Sequence, residues 1–360
     1  MTYQHGGDIY SQRIRWDFSV NLNPLGMPMG VKEAVKSSAD FCSRYPDSRC
    51  RKLTEELSRY HQIPEEDILC GNGAADLIFQ IIFADRPREG WVLAPTFSEY
   101  EQALLAVSAR MRFFFLRREE GFSLDENQLI RTLEREGAGE GTVLFLCNPN
   151  NPTGQVLEQS QVEAVAAFAE EKKIRLIVDE CFLDLAEMGE KRGRYSLLPS
   201  LERFPHAGVL RAFTKSYAMA GLRLGYCISK DHPLLEHMAC CRQPWPVSVP
   251  AQMAGEAALK EKDYRIQTAQ VIETGRRQLQ EGLKKLGFWV CESQANFLLF
   301  QDLRPEGREG RLFSLCRDRG LLLRHCDNFH GLDGSYYRVC VKTKEENTIL
   351  LSMLEGLQEI

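Results

Sequence analysis

The sequence of 360 residues has no long hydrophobic run. No stretch approaches the roughly 20 consecutive apolar residues of a membrane-spanning helix, so we expect no membrane partner. The first eight residues, Met1–Asp8, have no apolar core of the kind found in a secretory signal, and we expect a cytoplasmic protein. Hydrophobic residues make up 44% and charged residues 26% of the chain, which is typical of a globular protein with a large core.

Metal-ligand spacings and basic runs are also missing. Although the chain has 12 cysteines, it contains no C-x-x-C. Cys147, Cys227 and Cys340 lie in apolar, strand-like runs, where a reduced thiol behaves as a small hydrophobic side chain. We therefore expect free thiols in a reducing compartment and no metal site. A net charge of −5 without a long basic run argues against a nucleic-acid partner.

Helix-like and strand-like segments alternate along most of the chain. Apolar strand-like runs such as Trp91–Ala94, Thr142–Cys147 and Ile174–Val178 are separated by amphipathic or buried helices. Strands that are apolar throughout and alternate with helices favour an α/β fold, with a mostly parallel, doubly wound sheet covered on both faces. Polar motifs follow the strand ends, where open α/β sheets bind ligands.

The pattern changes near residue 245. One long helix is predicted from about Gln252 to Leu286, and strand-like runs follow it. We predict three parts of the chain. Residues 1–30 form an N-terminal arm that packs with a small domain, residues 31–245 form a large cofactor-binding domain, and residues 246–360 form the small α+β domain.

Three motifs in the predicted large domain carry groups suited to cofactor chemistry. Lys215 follows an apolar strand in R-A-F-T-K-S-Y and precedes Arg223 by eight positions. Asp179 ends the strand I-R-L-I-V-D, and Asn151 lies in the turn N-P-N-N-P-T-G. A lysine that a strand places inside the protein can have the depressed pKa that a nucleophilic amine needs. Thr214 and Arg223 are suited to binding a phosphate.

A glycine turn, G-N-G-A-A-D, contains Gly73, Ala74 and Ala75 and opens a predicted helix. Backbone N–H groups at the start of a helix suit a phosphate, although a plain turn is the alternative. A dinucleotide-binding turn would have a third glycine in G-x-G-x-x-G, which this segment lacks. A nucleotide-binding oxidoreductase is therefore disfavoured.

Together these motifs resemble the fold-type I pyridoxal-phosphate enzymes of the aminotransferase class I/II family. The segment around Lys215 is similar to that family's S-x-S/T-K-x(7)-R pattern, with Ala212 where many members have a hydroxyl residue. The resemblance implies pyridoxal 5′-phosphate as cofactor, Lys215 as its Schiff-base lysine and Asp179 as the acid beneath the ring nitrogen. It implies Asn151 for the phenolate oxygen, because Phe182 stands where many members have tyrosine. A catalytically inactive binding protein of the same fold is the alternative.

The same resemblance implies further cofactor contacts. Gly73, Ala74 and Ala75 match the family's phosphate turn, and Phe97 matches the aromatic residue that stacks on the cofactor ring. A simple core aromatic is the alternative for Phe97. Tyr45 matches the tyrosine that crosses a dimer interface to the neighbour's cofactor phosphate, which implies a homodimer.

Four residues near the two ends of the chain are expected to bind substrate. By resemblance, Arg338 binds the substrate α-carboxylate, and Arg324 is the second arginine of members with phosphorylated substrates. His5 and Asn23 belong to the N-terminal arm, which is expected to close over the site. The alternative for each is an ordinary strand or arm residue.

Two subfamilies act on phosphorylated amino acids, the histidinol-phosphate aminotransferases and the threonine-phosphate decarboxylases of cobalamin synthesis. The chain resembles the decarboxylases more, in H-G-G, N-L-N-P-L-G, D-E-C-F-L-D and R-H-C-D-N-F-H-G-L-D. This implies decarboxylation of L-threonine O-3-phosphate to (R)-1-aminopropan-2-yl phosphate through an external aldimine. Histidinol-phosphate transamination with 2-oxoglutarate, and decarboxylation of phosphoserine, are the alternatives. Asp8, where decarboxylases commonly have Asn, is a departure that keeps them open.

Overall fold

The computed structural model of the protein describes residues 5–186, 193–304 and 310–358. The strands are β1 (Trp16–Asp17), β2 (Ile68–Gly71), β3 (Glu89–Ala94), β4 (Arg110–Phe115), β5 (Thr142–Cys147), β6 (Arg175–Asp179), β7 (Ala207–Ala212), β8 (Gly225–Ser229), β9 (Trp289–Val290), β10 (Phe297–Gln301), β11 (Leu321–Leu322), β12 (Arg324–His325) and β13 (Tyr336–Cys340). The helices are α1 (Met29–Ser37), α2 (Arg51–His61), α3 (Ala74–Asp85), α4 (Glu99–Ala106), α5 (Glu126–Arg135), α6 (Gln159–Glu171), α7 (Phe213–Ser216), α8 (His232–Cys241), α9 (Val249–Ala258), α10 (Lys262–Lys285), α11 (Arg311–Asp318) and α12 (Lys344–Gln358).

The largest sheet has seven strands in the order β2-β8-β7-β6-β5-β3-β4. All neighbours in it are parallel except those of β8, which runs antiparallel to β2 and β7. Alternate residues of the central strands enter different cores. Leu144 and Leu146 pack with α5 and α6, whereas Phe145 packs with α3, α4 and α8. Because helices cover both faces, the prediction of an α/β fold with a mostly parallel, doubly wound sheet is confirmed.

A second, antiparallel sheet of four strands has the order β12-β13-β10-β9. Its core contains Leu279 from α10, Leu354 from α12 and Phe18 from the N-terminal arm. The arm also joins this region through β1, which pairs in parallel with β11, Trp16 opposite Leu321. This pairing attaches the N-terminal arm to the C-terminal part of the chain, while the boundaries at residues 30/31 and 245/246 remain predictions.

The predicted helix from Gln252 to Leu286 is wrong, because two helices, α9 and α10, occupy this stretch. Helix α9 begins earlier than predicted, since the Ser248 hydroxyl caps it by accepting a hydrogen bond from Ala251 N at 3.3 Å. The chain turns after Ala258, and there the Glu261 carboxylate accepts a hydrogen bond from Gly30 N of α1 at 3.1 Å. None of the helices described here has the length and apolar character needed to cross a bilayer.

Candidate active site

A cavity of about 320 Å³ lies at the carboxyl edge of the parallel strands, between the seven-stranded sheet, the N-terminal arm and the C-terminal strands. Loops that follow β2, β3, β5, β6 and β7 form one wall, which is the place where parallel sheets bind ligands. The predicted residues that line it are His5, Ala74, Ala75, Phe97, Asn151, Asp179, Thr214, Lys215, Arg223, Arg324 and Arg338. The fold therefore brings together eleven predicted residues, whereas Gly73, Asn23 and Tyr45 lie outside this lining.

Lys215 lies in the short helix α7, directly after β7 ends. Its ammonium group is 5.7 Å from the centre of the Phe182 ring. Burial and, secondarily, the guanidinium group of Arg338 lower the pKa of Lys215 to about 8. The amine consequently has a sizeable neutral fraction near neutral pH, which is the form that attacks an aldehyde carbon.

Asp179 ends β6 and is held from two directions. Its Oδ2 accepts a hydrogen bond from Tyr100 Oη at 2.7 Å, and its Oδ1 accepts one from Cys181 N at 3.0 Å. Tyr100 is fully buried and stacks on Phe145, with ring centres 4.6 Å apart. Burial and the nearby Asp179 raise the pKa of Tyr100 well above its usual value, so it remains a donor to the carboxylate. Sequence reasoning missed the hydrogen bond between Tyr100 and Asp179.

Phe97 reaches the cavity from the turn between β3 and α4. Its ring meets the Tyr100 ring edge-on, with centres 5.6 Å apart and planes at 78°. Tyr100 is held by its stacking on Phe145 and its hydrogen bond to Asp179, and it therefore supports the Phe97 ring from one side. One face of Phe97 can therefore stack on a flat aromatic ligand.

The end of the cavity near α3 is suited to a phosphate. Gly73 has φ +84°, which strains any other residue, and a Cβ there would lie 2.9 Å from Arg223 Nη2 and displace that guanidinium group. Ala74 and Ala75, at the start of α3 where N–H groups have no partner within the helix, line the cavity, as do Thr214 and Arg223. Backbone donors, a hydroxyl and a cation thus meet at one end. Gly73 shapes this end without lining it.

Arg324 and Arg338 form the opposite side of the cavity. They are direct partners in the register of β12 and β13, which explains how residues fourteen positions apart reach one site. Arg338 donates to Asn151 Oδ1 and, through Nη2, to Ser19 O at 2.9 Å. Arg324 Nη2 donates to Asn328 Oδ1 at 2.6 Å. Burial lowers the pKa of both arginines, that of Arg338 to about 10.

The two guanidinium groups have no carboxylate partner within 4 Å in the described ranges of the chain. Arg338 Nε is buried and, among those same residues, has no hydrogen-bond partner. Buried cations without a counter-ion are costly, and an anionic ligand removes that cost. Two such cations side by side favour a ligand with two anionic groups.

His5 lies at the cavity and contacts helix α4. Its Nε2 is 3.2 Å from Glu99 Oε1. Burial raises the pKa of Glu99, and the neighbouring His5 opposes that shift.

Asp8, the acid that departs from the decarboxylase pattern, forms a hydrogen bond within its own segment. Its Oδ2 accepts a hydrogen bond from Ser11 Oγ at 2.5 Å. The hydrogen bonds from Ser11 lower the pKa of Asp8, and its carboxylate lies outside the cavity lining.

The structure does not bring Asn23 into the cavity. Its Nδ2 donates to Ser216 O and to Thr268 Oγ1, both at 2.8 Å, and its Oδ1 accepts from Leu25 N at 3.0 Å. Asn21 of the same N-L-N-P segment lines the cavity instead, and its buried Oδ1 has no hydrogen-bond partner in the part of the chain that is described. The sequence offered no signal for choosing between two asparagines two positions apart. Geometry therefore favours Asn21 over Asn23 as a ligand contact.

Tyr45 does not line the cavity of its own chain. It is 76% exposed, and its ring stacks on Trp245 with centres 4.2 Å apart. An exposed pair of large aromatic rings is unusual on a monomer and common at protein interfaces. This location is compatible with the predicted role across a dimer interface.

The arrangement fits pyridoxal 5′-phosphate, the cofactor that the sequence resemblance implies. Asp179 offers an anion for a protonated ring nitrogen, Phe97 offers a stacking face, and Lys215 offers an amine for the aldehyde carbon. Asn151 Oδ1 accepts from Arg338, which leaves the amide Nδ2 available to donate to a phenolate oxygen. The end of the cavity formed by Ala74 and its neighbours offers a binding site for the phosphate.

Comparisons with known proteins agree with this site. The family described as aminotransferase class I and II matches residues 14–354. The threonine-phosphate decarboxylase of Salmonella typhimurium is 36% identical over 342 residues, which cover 95% of this chain and 90% of that protein. A histidinol-phosphate aminotransferase of Nitratidesulfovibrio vulgaris is 32% identical, with coverage of 94% and 87%.

A solved structure gives the same result for the fold. The histidinol-phosphate aminotransferase from Clostridium acetobutylicum has a TM-score of 0.86 to this chain at 27% identity, covering 96% of this chain and 99% of that one. The family match extends over most of the sequence and includes every residue that lines the cavity except His5 and Gly6. This chain therefore belongs to the aminotransferase class I and II family.

Proposed function

We propose that this protein is a pyridoxal-phosphate-dependent decarboxylase that converts L-threonine O-3-phosphate into CO2 and (R)-1-aminopropan-2-yl phosphate. The observation that carries the proposal is the pair of buried arginines, Arg324 and Arg338, which have no carboxylate within 4 Å in the described residues and line the cavity that contains Lys215. Two guanidinium groups suit a substrate with an α-carboxylate and a phosphate. The 36% identity to the Salmonella typhimurium enzyme supports the same activity.

The cofactor supplies an electron-accepting ring when bound. Asp179 would hold that ring's nitrogen in the protonated state, because an anion beside it favours the cation. Lys215 would hold the cofactor through its amine, and the same amine, once free, would donate the proton that replaces the lost carboxylate at Cα. Its lowered pKa, about 8, allows the amine to exchange a proton near neutral pH.

Orientation of the substrate decides which bond at Cα breaks. The bond that lies perpendicular to the cofactor ring is the one that its π system weakens. Arg338 and Arg324 hold the two anionic groups of the substrate, and Arg338 is itself fixed by Asn151 and Ser19. With both ends held, rotation about Cα is restricted, which is the positioning that selective cleavage requires.

Three further assignments belong to this proposal. The enzyme is a homodimer in which Tyr45 reaches the partner's cofactor phosphate. It acts in the cytoplasm, in cobalamin synthesis. Its domain limits are those predicted, with an arm of residues 1–30, a large domain of residues 31–245 and a small domain of residues 246–360. The exposed Tyr45–Trp245 pair supports the first assignment.

Product analysis with the purified, cofactor-loaded protein tests the proposal. The protein is incubated with L-threonine O-3-phosphate, with O-phospho-L-serine, and with histidinol phosphate plus 2-oxoglutarate. We expect CO2 and the amino alcohol phosphate from threonine phosphate without any added keto acid. CO2 from phosphoserine alone would retain the reaction type and correct the substrate.

A transaminase is the second candidate function, because the Nitratidesulfovibrio vulgaris relative, named a histidinol-phosphate aminotransferase, is 32% identical. The buried arginine pair suits either reaction, since 2-oxoglutarate also brings an α-carboxylate to Arg338. The higher identity to the threonine-phosphate decarboxylase of Salmonella typhimurium, 36%, favours decarboxylation. In the same assay, glutamate formation without CO2 release would establish a transaminase and exclude the proposed decarboxylase activity. A Lys215→Ala variant serves as the control and is expected to be inactive in all three incubations.

A further inference from the structure

Helix α4 has two carboxylates in its first turn, and each contacts a histidine from another part of the chain. Glu99 contacts His5 of the N-terminal arm, as described above. Glu101 Oε2 lies 3.0 Å from Nε2 of His330, which belongs to the loop of residues 326–332 after β12. The second pair lies outside the cavity lining and has no role in the chemistry proposed above.

The loop of residues 326–332 holds Arg324 in place. Asn328 accepts a hydrogen bond from Arg324 Nη2 at 2.6 Å, and the Phe329 ring lies 5.0 Å from its guanidinium carbon. Phe329 also lines the cavity. The position of Arg324 therefore depends on the position of this loop.

His330 joins that loop to the edge of the seven-stranded sheet. Besides its contact with Glu101, its ring packs on Phe113 of β4, with ring centres 4.5 Å apart. The next residue, Gly331, is equally close to β4, because a Cβ there would lie 3.3 Å from Phe115 Cδ1. The Glu101 side chain is only 13% exposed, so its charge faces His330 with little competition from solvent.

We propose that His330 and Glu101 are positioning residues for the substrate-binding Arg324. The pair fastens the loop of residues 326–332 to helix α4, and the loop in turn presents Asn328 and Phe329 to Arg324. This inference rests on the proposed function for its effect on substrate, but the fastening itself does not depend on which reaction the enzyme catalyses. Loss of the pair loosens the arginine that receives the phosphate, while Lys215 and Asp179 keep their surroundings.

The test is a double-mutant cycle with His330→Gln and Glu101→Gln in the cofactor-loaded enzyme. Each single variant is expected to raise KM for L-threonine O-3-phosphate about two- to fivefold, within the range of one partly exposed hydrogen bond, with kcat within about twofold. The double variant is expected to be no worse than either single one. An unchanged KM in both single variants, or a fall in kcat with unchanged KM, would overturn the proposal.

His206→Gln is the matched control, because His206 forms a similar contact with Glu170, at 2.8 Å, away from the cavity. Hydrogen–deuterium exchange of residues 324–332 provides a second readout that requires no turnover. Faster exchange in both His330→Gln and Glu101→Gln, and none in His206→Gln, supports the fastening even if threonine phosphate is not the substrate. Exchange at the wild-type rate in both variants overturns it, whatever the reaction.

Discussion

At the scale of single residues, Lys215 shows how burial prepares an amine for reaction. Its charged form is disfavoured first by burial and then by the cation of Arg338. The lysine is therefore neutral over a wider pH range in the folded protein than in the unfolded chain. The apo-protein gains stability from this group above its ordinary pKa of 10.5 and loses it as pH falls through about 8.

For the apo-protein we predict that labelling of Lys215 by an amine-specific reagent rises with pH around a midpoint near 8. Mass spectrometry of the peptide that contains Lys215 measures the labelled fraction, and surface lysines in the same digest serve as internal controls. Arg338→Gln should move the midpoint upward, because it removes a neighbouring positive charge. A midpoint at the ordinary lysine value would contradict the burial argument.

The two asparagines of the arm provide a matched comparison. Asn23→Ala removes hydrogen bonds to Ser216, Thr268 and Leu25, and we expect a loss of about 1–3 kcal/mol in the free energy of unfolding. Asn21→Ala removes an oxygen that has no partner among the described residues, so we expect little loss of stability and a higher KM for the phosphorylated substrate. Denaturant unfolding and steady-state kinetics distinguish the two effects. A higher KM with little loss of stability in Asn23→Ala, and the reverse in Asn21→Ala, would instead assign Asn23 to the substrate site.

At the scale of elements, the turn between β2 and α3 requires glycine at position 73. Gly73→Ala would place a Cβ 2.9 Å from Arg223 Nη2 at a φ of +84°. With ψ 165° this backbone conformation is essentially confined to glycine and costs another residue about 1–3 kcal/mol, so we predict about tenfold weaker binding of pyridoxal phosphate. Titration of the apo-protein, followed by the cofactor's visible absorbance, measures the affinity.

Gly221→Ala is the control for this prediction. Gly221 lies two residues before Arg223, and a Cβ there would meet nothing within 4 Å. We expect its cofactor affinity to match the wild-type value. If both variants bind the cofactor equally well, the phosphate does not lie at the start of α3.

The centre of the seven-stranded sheet could be predicted from the sequence because β5, β6 and β7 are largely apolar and each is followed by a polar motif. The direction of β8 could not be predicted, since the sequence of an apolar strand does not indicate whether it runs parallel or antiparallel to its neighbours. Its antiparallel course follows from the connection of residues 213–224, which contains only short helical turns and no crossover helix. The Glu101–His330 contact could not be predicted either, because it joins residues that are 229 positions apart and belong to no shared motif.

At the scale of the whole molecule, Tyr45 tests whether two chains build one site. If Tyr45 acts in the partner's cavity, mixing inactive Lys215→Ala with Tyr45→Ala protein should restore activity. A mixed dimer has one site with both defects and one intact site, so random mixing should give about a quarter of the wild-type sites. The measurement is turnover after subunit exchange at limiting cofactor. No gain over the separate variants would place Tyr45 outside the partner's site.

The bonds of Arg338 link distant parts of the chain, since it reaches Asn151 across 187 positions and Ser19 across 319. The proposed cofactor contacts of a single chain lie between Gly73 and Arg223, whereas the substrate contacts come from near its two ends. A preparation whose C-terminal strands have lost their packing would therefore still bind the cofactor and show its visible absorbance. It would not bind the substrate. Cofactor absorbance overstates the concentration of competent enzyme in such a sample, and rate constants for this protein should be scaled to sites counted with a substrate analogue.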